Sequence, residues 1–264
     1  MKRFLSVLLC AVLLVGLTAC GGQGTTQKEE PDMGISKEQS YRVLFIGNSY
    51  TYYNDMWDLF AQAGESLGYT ITADHVTQGG YYLDQYLNTK DPFGLQVLQH
   101  LSKNRYDAVF LQEQSTCPFQ NYDRFADAVT GLDAMVKENG AKTILYQTWG
   151  RQVGSPALVS LKTTNQKMTE DLAKAYQKAA QAIGAAVSPV GNAFYDLHNN
   201  QAVEINLYDP DTTHPSLAGS YLSALCHLAT FTGADVRKVT FDSELDAQTA
   251  TTLKEAAYKA VFGE

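Results

Sequence analysis

The sequence is poor in cysteine. Four occur in 264 residues and none sits in C-x-x-C spacing, which excludes zinc-ribbon, iron–sulfur and dithiol redox motifs. No metal site is expected. Positive charge is also scarce: 20 Lys and Arg stand against 28 Asp and Glu, a net charge of −8 with no basic cluster. Such a chain is a poor partner for nucleic acid or for anionic lipid headgroups. No apolar run reaches the ~20 residues that a membrane span needs. The longest, Phe4 to Leu17, covers fourteen residues and is broken by Ser6, Cys10 and Gly16. Internal repeats are absent.

That short run is flanked informatively. Met1-Lys2-Arg3 precedes it, and Leu17-Thr18-Ala19-Cys20 closes it with small residues before a cysteine. This pattern reads as a bacterial lipoprotein signal peptide over residues 1–19, with Cys20 as the lipidated first residue of the mature chain. Residues 20–40 are polar and read as a tether. The expectation is an extracytoplasmic protein held to the bacterial membrane by lipid alone. Loss of Lys2 and Arg3 makes the mature charge 20 − 2 − 28, or −10. Cys117 and Cys226 remain, and are expected as two buried thiols.

From Tyr41 onward strands and helices alternate. Apolar runs predict strands over Arg42–Ile46, Thr70–Val76, Tyr106–Gln112, Thr143–Trp149 and Ala186–Val190. Between them, Met56, Leu59, Phe60, Ala63 and Leu67 recur at helical spacing, with Asn54 expected as N-cap and Gly68 at C′. Further helices are expected over Phe125–Val136, up to Ile183, from Ser216 to about Phe231, and from about Ser243 to Val261. Five βα units in series imply one α/β domain, 41–264, around a parallel sheet. Ligands in such sheets gather at the carboxyl ends of the strands.

Four of those ends carry residues that a plain loop does not require. Gly47-Asn48-Ser49 follows the first strand, and a serine hydroxyl becomes a nucleophile only with a base in reach. "DTTHPS", Asp211 to Ser216, precedes the penultimate helix. Pro215 keeps His214 extended, and Asp211 is placed to accept its Nδ1 proton, leaving Nε2 for a nucleophile. Gly79-Gly80 follows the second strand and Gln112-Glu113-Gln114-Ser115 the third. Glycine N–H groups and side-chain amides are the donors that an oxyanion needs.

In this order the four blocks resemble the SGNH (GDSL-type) hydrolases, over nearly the whole chain after the tether. "FIGNSYTYYND" (45–55), "LQEQS" (111–115), "TWGR" (148–151) and "DTTHPSLAGSYL" (211–222) are similar to motifs of a bacterial branch of that superfamily. The resemblance implies a three-layer α/β/α flavodoxin-like fold with sheet order 2-1-3-4-5. It also implies a triad of Ser49, His214 and Asp211, with the Ser49 N–H, Gly80 and an amide residue as oxyanion donors. One block departs. The superfamily usually has Gly-x-Asn-Asp where this chain has Gln112 to Ser115, so Gln114 falls on the asparagine, and Gln112 or Glu113 is a further candidate. The α/β-hydrolases share the chain order Ser, Asp, His, but their Gly-x-Ser-x-Gly would need glycine where Thr51 stands.

Trp149, Arg151 and the tyrosines after the first two strands, Tyr50, Tyr52, Tyr53, Tyr81 and Tyr82, complete the candidates, as an aromatic rim for sugar stacking and a cation for a polar or acidic group. Packing of the loops is the competing role for each. The expected activity is that of a serine esterase acting on small acyl esters, O-acetyl groups on glycans among them, with no cofactor. An O-acyltransferase with the same triad and a non-catalytic lipidated binding protein are the alternatives.

Overall fold

Five apolar runs pair into one sheet in a computed structural model, which describes residues 33–200 and 204–263. The expected signal peptide, Cys20 and the tether up to residue 32 lie outside the described residues. The strands are β1 (Ser40–Gly47), β2 (Thr70–Thr77), β3 (Ala108–Leu111), β4 (Lys142–Tyr146) and β5 (Ala186–Ser188). All pairs are parallel, and the order is β2-β1-β3-β4-β5, as expected.

The helices follow in chain order: α1 (Ser49–Tyr52), α2 (Met56–Ser66), α3 (Pro92–Lys103), α4 (Cys117–Gln120), α5 (Tyr122–Asn139) and α6 (Pro156–Ser160). Then come α7 (Asn165–Ile183), α8 (Val190–His198), α9 (Leu217–Thr232) and α10 (Ala247–Phe262). Successive strand residues face opposite layers. Val43, Phe45, Ala108, Phe110, Ile144 and Tyr146 pack on α2, α8, α9 and α10. Leu44, Ile46, Val109, Leu111 and Leu145 pack on α3, α5 and α7. Both faces are therefore covered, which is why these strands read as unbroken apolar runs. Helix α9 carries no Asp, Glu, Lys or Arg, and residues 218–231 are all buried.

Several expectations need correction. Met33 and Ile35 pack against the first layer, so ordered contacts begin inside the expected tether. Asn54 is not the N-cap of α2. It adopts a left-handed conformation (φ 54°), as does Asp55 (φ 49°), which occupies the cap position. The expected third and fourth strands are shortened, and the fifth stops at Ser188 because Val190 opens α8. Helices α3 and α8 were not expected; α3 is nonetheless marked by an Asp91 N-cap and Pro92. Cys117 and Cys226 are buried free thiols in opposite layers. Among the described residues, no helix is long and apolar enough to cross a membrane.

Candidate active site

All five strands end on one edge, and the turn after β1 forms its floor. A Cβ on Gly47 would lie 2.5 Å from Thr51 Oγ1 and 2.6 Å from Gln112 Oε1, so only glycine fits. Beneath the turn, Gln112 Oε1 accepts from Asn48 N at 2.8 Å and Thr51 Oγ1 at 2.9 Å. Its Nε2 donates to Glu113 O at 2.5 Å. Asn48 Oδ1 accepts from Tyr50 N and caps the single turn of α1, while its Nδ2 donates to Tyr81 O at 3.0 Å. That second bond ties the Ser49 turn to the loop carrying Gly80. Tyr86 adds another tie, donating its hydroxyl to Gly47 O at 2.5 Å.

The opposite wall is the loop before α9. Tyr208 and Pro215 form an antiparallel bridge, and Asp209 N donates to His214 O at 2.8 Å. Asp211 Oδ1 accepts from the N–H groups of Thr213 and His214, both at 2.9 Å. Its Oδ2 accepts a hydrogen bond from His214 Nδ1 at 2.5 Å. Burial pushes the Asp211 carboxyl up, but these bonds outweigh it and hold the carboxyl below its ordinary range. With Nδ1 donating, Nε2 is left to accept from Ser49 Oγ at 2.8 Å. Ser49, His214 and Asp211 are thus brought together across 165 residues of chain.

Two further side chains fix the imidazole. Tyr53 stacks on it, centroids 4.3 Å apart and planes within 8°, and Tyr50 meets it edge-on at 5.7 Å. The left-handed turn after Tyr53 is clamped by Asn54, whose Nδ2 donates to Pro215 O and Ser220 Oγ. Tyr53 was expected as a rim aromatic and Asn54 as an N-cap, and neither as a support for the imidazole. The only sequence signal was the crowding of polar and aromatic residues in "TYYND".

The remaining candidates divide. Gly80 has φ 73° and faces open space, and no acceptor among the described residues takes its N–H or that of Ser49. Gln114 Oε1 accepts from Thr116 N, Thr116 Oγ1 and Cys117 N, which fixes the orientation of the amide. Arg151 lies half-buried, with Nη1 donating to the Tyr50 hydroxyl and Nη2 to Ser115 Oγ at 2.8 Å. It forms no ion pair with a described carboxylate.

Four expectations are corrected, two at the aromatic rim and two among the oxyanion and substrate-binding candidates. Trp149 is fully buried, and both its faces are taken, by Tyr50 at 4.3 Å and Phe194 at 4.2 Å. It has no face for a sugar; instead Nε1 donates to Thr213 O at 3.1 Å and props the base loop. Tyr50 is buried against it, and burial pushes its hydroxyl up to about 12. Gln112 and Glu113 lie buried beneath the site: Gln112 is bonded to Asn48 N, Thr51 Oγ1 and Glu113 O, and Glu113 Oε1 to the N–H groups of Leu83 and Gln114. Among the described residues, no group of His, Cys, Asp and Glu is arranged to hold a metal ion.

No family model and no curated protein matches the chain. Among solved structures it is similar to a candidate SGNH hydrolase from Slackia heliotrinireducens, at 32% identity and a TM-score of 0.64, covering 73% of this chain and 99% of that one. A DUF4886 family protein from Bacteroides uniformis is 18% identical with a TM-score of 0.73, over 84% of this chain and 95% of that one. An acetyl xylan esterase shares the fold at 14% identity and a TM-score of 0.51, over 71% and 98% of the two chains.

Proposed function

We propose, since the chain belongs to the SGNH hydrolases, that it is a serine esterase in which Ser49, His214 and Asp211 form the catalytic triad. One observation carries the reading: the 2.8 Å contact between Ser49 Oγ and an imidazole whose other nitrogen is bonded to a carboxylate. Ser49 Oγ attacks the ester carbonyl as His214 Nε2 takes its proton, and Asp211 stabilises the imidazolium. The face of Tyr53 adds attraction for that transient cation. The N–H groups of Ser49 and Gly80, with Gln114 Nε2, receive the oxyanion. His214 then protonates the leaving alcohol, and water, deprotonated by the same nitrogen, releases the acid. No step uses a metal or an organic cofactor.

The substrate we infer is a small acyl ester, an O-acetyl group on a glycan, with Arg151 contacting a polar or acidic substituent. The lipoprotein signal and the likeness to an acetyl xylan esterase support this class. Transfer of the acyl group to a sugar hydroxyl is the second reading, favoured by the same triad. Lipid anchoring through Cys20 to the outer face of the bacterial membrane completes the proposal, and Cys20→Ser is expected to move the protein from the membrane fraction to the soluble one. The main test is hydrolysis of p-nitrophenyl acetate, with fluorophosphonate labelling, by wild type and Ser49→Ala. Loss of both in the variant is expected, and equal rates would sink the nucleophile assignment.

A further inference from the structure

Directly behind the site lies a carboxyl group that the mechanism leaves unused. Glu113 is fully buried at the end of β3. Its Oε1 accepts from two backbone N–H groups on different loops, Leu83 at 3.1 Å and Gln114 at 2.6 Å. Leu83 stands three residues after Gly80, and Gln114 is the candidate amide donor. One oxygen atom thus joins the two loops that approach the oxyanion from β2 and from β3. The second oxygen, Oε2, is buried without a partner.

We propose that Glu113 is a positioning residue which, in its uncharged form, clamps the loops of Gly80 and Gln114 into one oxyanion hole. The proposal rests on the esterase reading of the site.

The surroundings favour the uncharged form. Facing Glu113 are Asp84 and Tyr86 from the segment after β2, Cys117 from α4, Arg124 from α5 and Tyr176 from α7. Arg124 is the single cation among these groups, and it is held by Asp84 in two bonds of 2.9 Å. Burial keeps the thiol and the two phenols protonated. No donor neutralises Oε2, and burial pushes the carboxyl up to about 7. With the proton on Oε2, Oε1 serves as a carbonyl acceptor for both N–H groups. Ionisation leaves those bonds in place but sets a negative charge behind the point where an oxyanion develops. In a buried region that repulsion opposes the transition state and not the neutral ester.

The experiment compares wild type, Glu113→Gln and Glu113→Ala by kcat and KM on p-nitrophenyl acetate from pH 5 to 9. Amide exchange at Leu83 and Gln114 is followed by NMR in the same proteins. The wild-type kcat/KM is expected to fall about tenfold between pH 7 and 9, and Glu113→Gln, which keeps the acceptor without the charge, to lose that decline. Glu113→Ala is expected to lower kcat by about tenfold to a hundredfold with little change in KM. It is also expected to speed exchange at both amides together, with Glu113→Gln restoring protection. A Glu113→Gln profile that superimposes on wild type, or protection unchanged in Glu113→Ala, overturns the proposal. Ser49→Ala serves as the control. If it hydrolyses ester as fast as wild type, the esterase reading fails, and the exchange data alone then decide whether Glu113 clamps the loops.

Discussion

The two halves of the candidate triad are built differently. The Ser49 half is buried and held from several directions: Asn48, Tyr50 and Gln112 are at most 3% exposed, and each is bonded or stacked on more than one element. On the other half, the Asp211 side chain is 45% exposed and His214 projects from a loop. That loop is held by clips: Trp149 Nε1 on Thr213 O, Gln152 N on Thr212 O, and Thr212 Oγ1 on Ser155 Oγ. The difference teaches that the position of Ser49 follows from the packing of the sheet, whereas that of His214 depends on a few separable bonds. Chemistry and stability should therefore part company on the base side and move together on the serine side.

The largest effect that tests this is Asp211→Asn. Asn keeps the Oδ1 acceptor for Thr213 and His214 but loses the carboxylate that orients the imidazole. The expectation is a fall in kcat of about 10³–10⁴-fold with an almost unchanged melting temperature. Gly47→Ala is the counterpart. Its Cβ would press on Gln112 and Thr51, both engaged, so stability should drop by about 1–3 kcal/mol, with kcat down about 10²-fold through displaced Ser49. If Gly47→Ala loses activity while keeping full stability, the serine half is not rigid. Trp149→Phe should come next. It keeps a stacking ring but removes the Thr213 bond, and about tenfold in kcat/KM with ~1–3 kcal/mol of stability should be lost.

Much of the fold is legible in the sequence. The strands follow from apolar runs such as Val43–Ile46, their order from the resemblance to the SGNH hydrolases, and the candidate triad from motifs whose roles are local: a glycine exit before Ser49, and Asp-x-x-His-Pro. The rim was not legible, for a geometric reason. Side chains alternate between faces along a strand, and where a strand ends the alternation lapses. Gln112, Glu113 and Trp149 therefore looked as able to point outward as to turn under the turn they follow. Burial at those positions is decided by partners far away in sequence, Phe194 for Trp149 and Leu83 for Glu113. Asn54 misled for a different reason: the residue types that cap helices also tolerate the left-handed conformation it adopts.

The two carboxyls also differ in the sign of their coupling to pH. Asp211 lies below its unfolded value, so its contribution is present above that value and lost as pH falls through the folded one. Its exposure keeps that contribution small. Glu113 lies above its unfolded value, near 7, so the native state holds the proton more tightly and stability falls as pH climbs from about 4.5 to about 7. The loss should be on the order of 2–3 kcal/mol. Urea unfolding at pH 5 and pH 8 reads it directly: wild type should be less stable at pH 8, and Glu113→Gln should show a much smaller difference. An equal drop in both proteins would assign the pH dependence elsewhere.

The smallest effect isolates the strain in the base loop. Thr212, between Asp211 and His214, adopts φ 64°, a conformation that disfavours β-branched side chains. Its backbone is held by Asp209 O and Gln152 N, and its hydroxyl by Ser155. Thr212→Gly removes the strain but also the hydroxyl bond, and it frees the unfolded chain, so its stability should stay within about 1 kcal/mol of wild type. Thr212→Val keeps the strain and loses only the bond, and should cost about 1–2 kcal/mol. The gap between the two variants measures what the left-handed turn costs, less the chain entropy that glycine adds to the unfolded state. If the clips and not the residue hold the loop, both variants should retain kcat/KM within about tenfold of wild type. A collapse of activity in Thr212→Gly alone, with stability intact, would mean that the strained residue itself aims Asp211 at His214, and the base half would then be as tightly specified as the serine half.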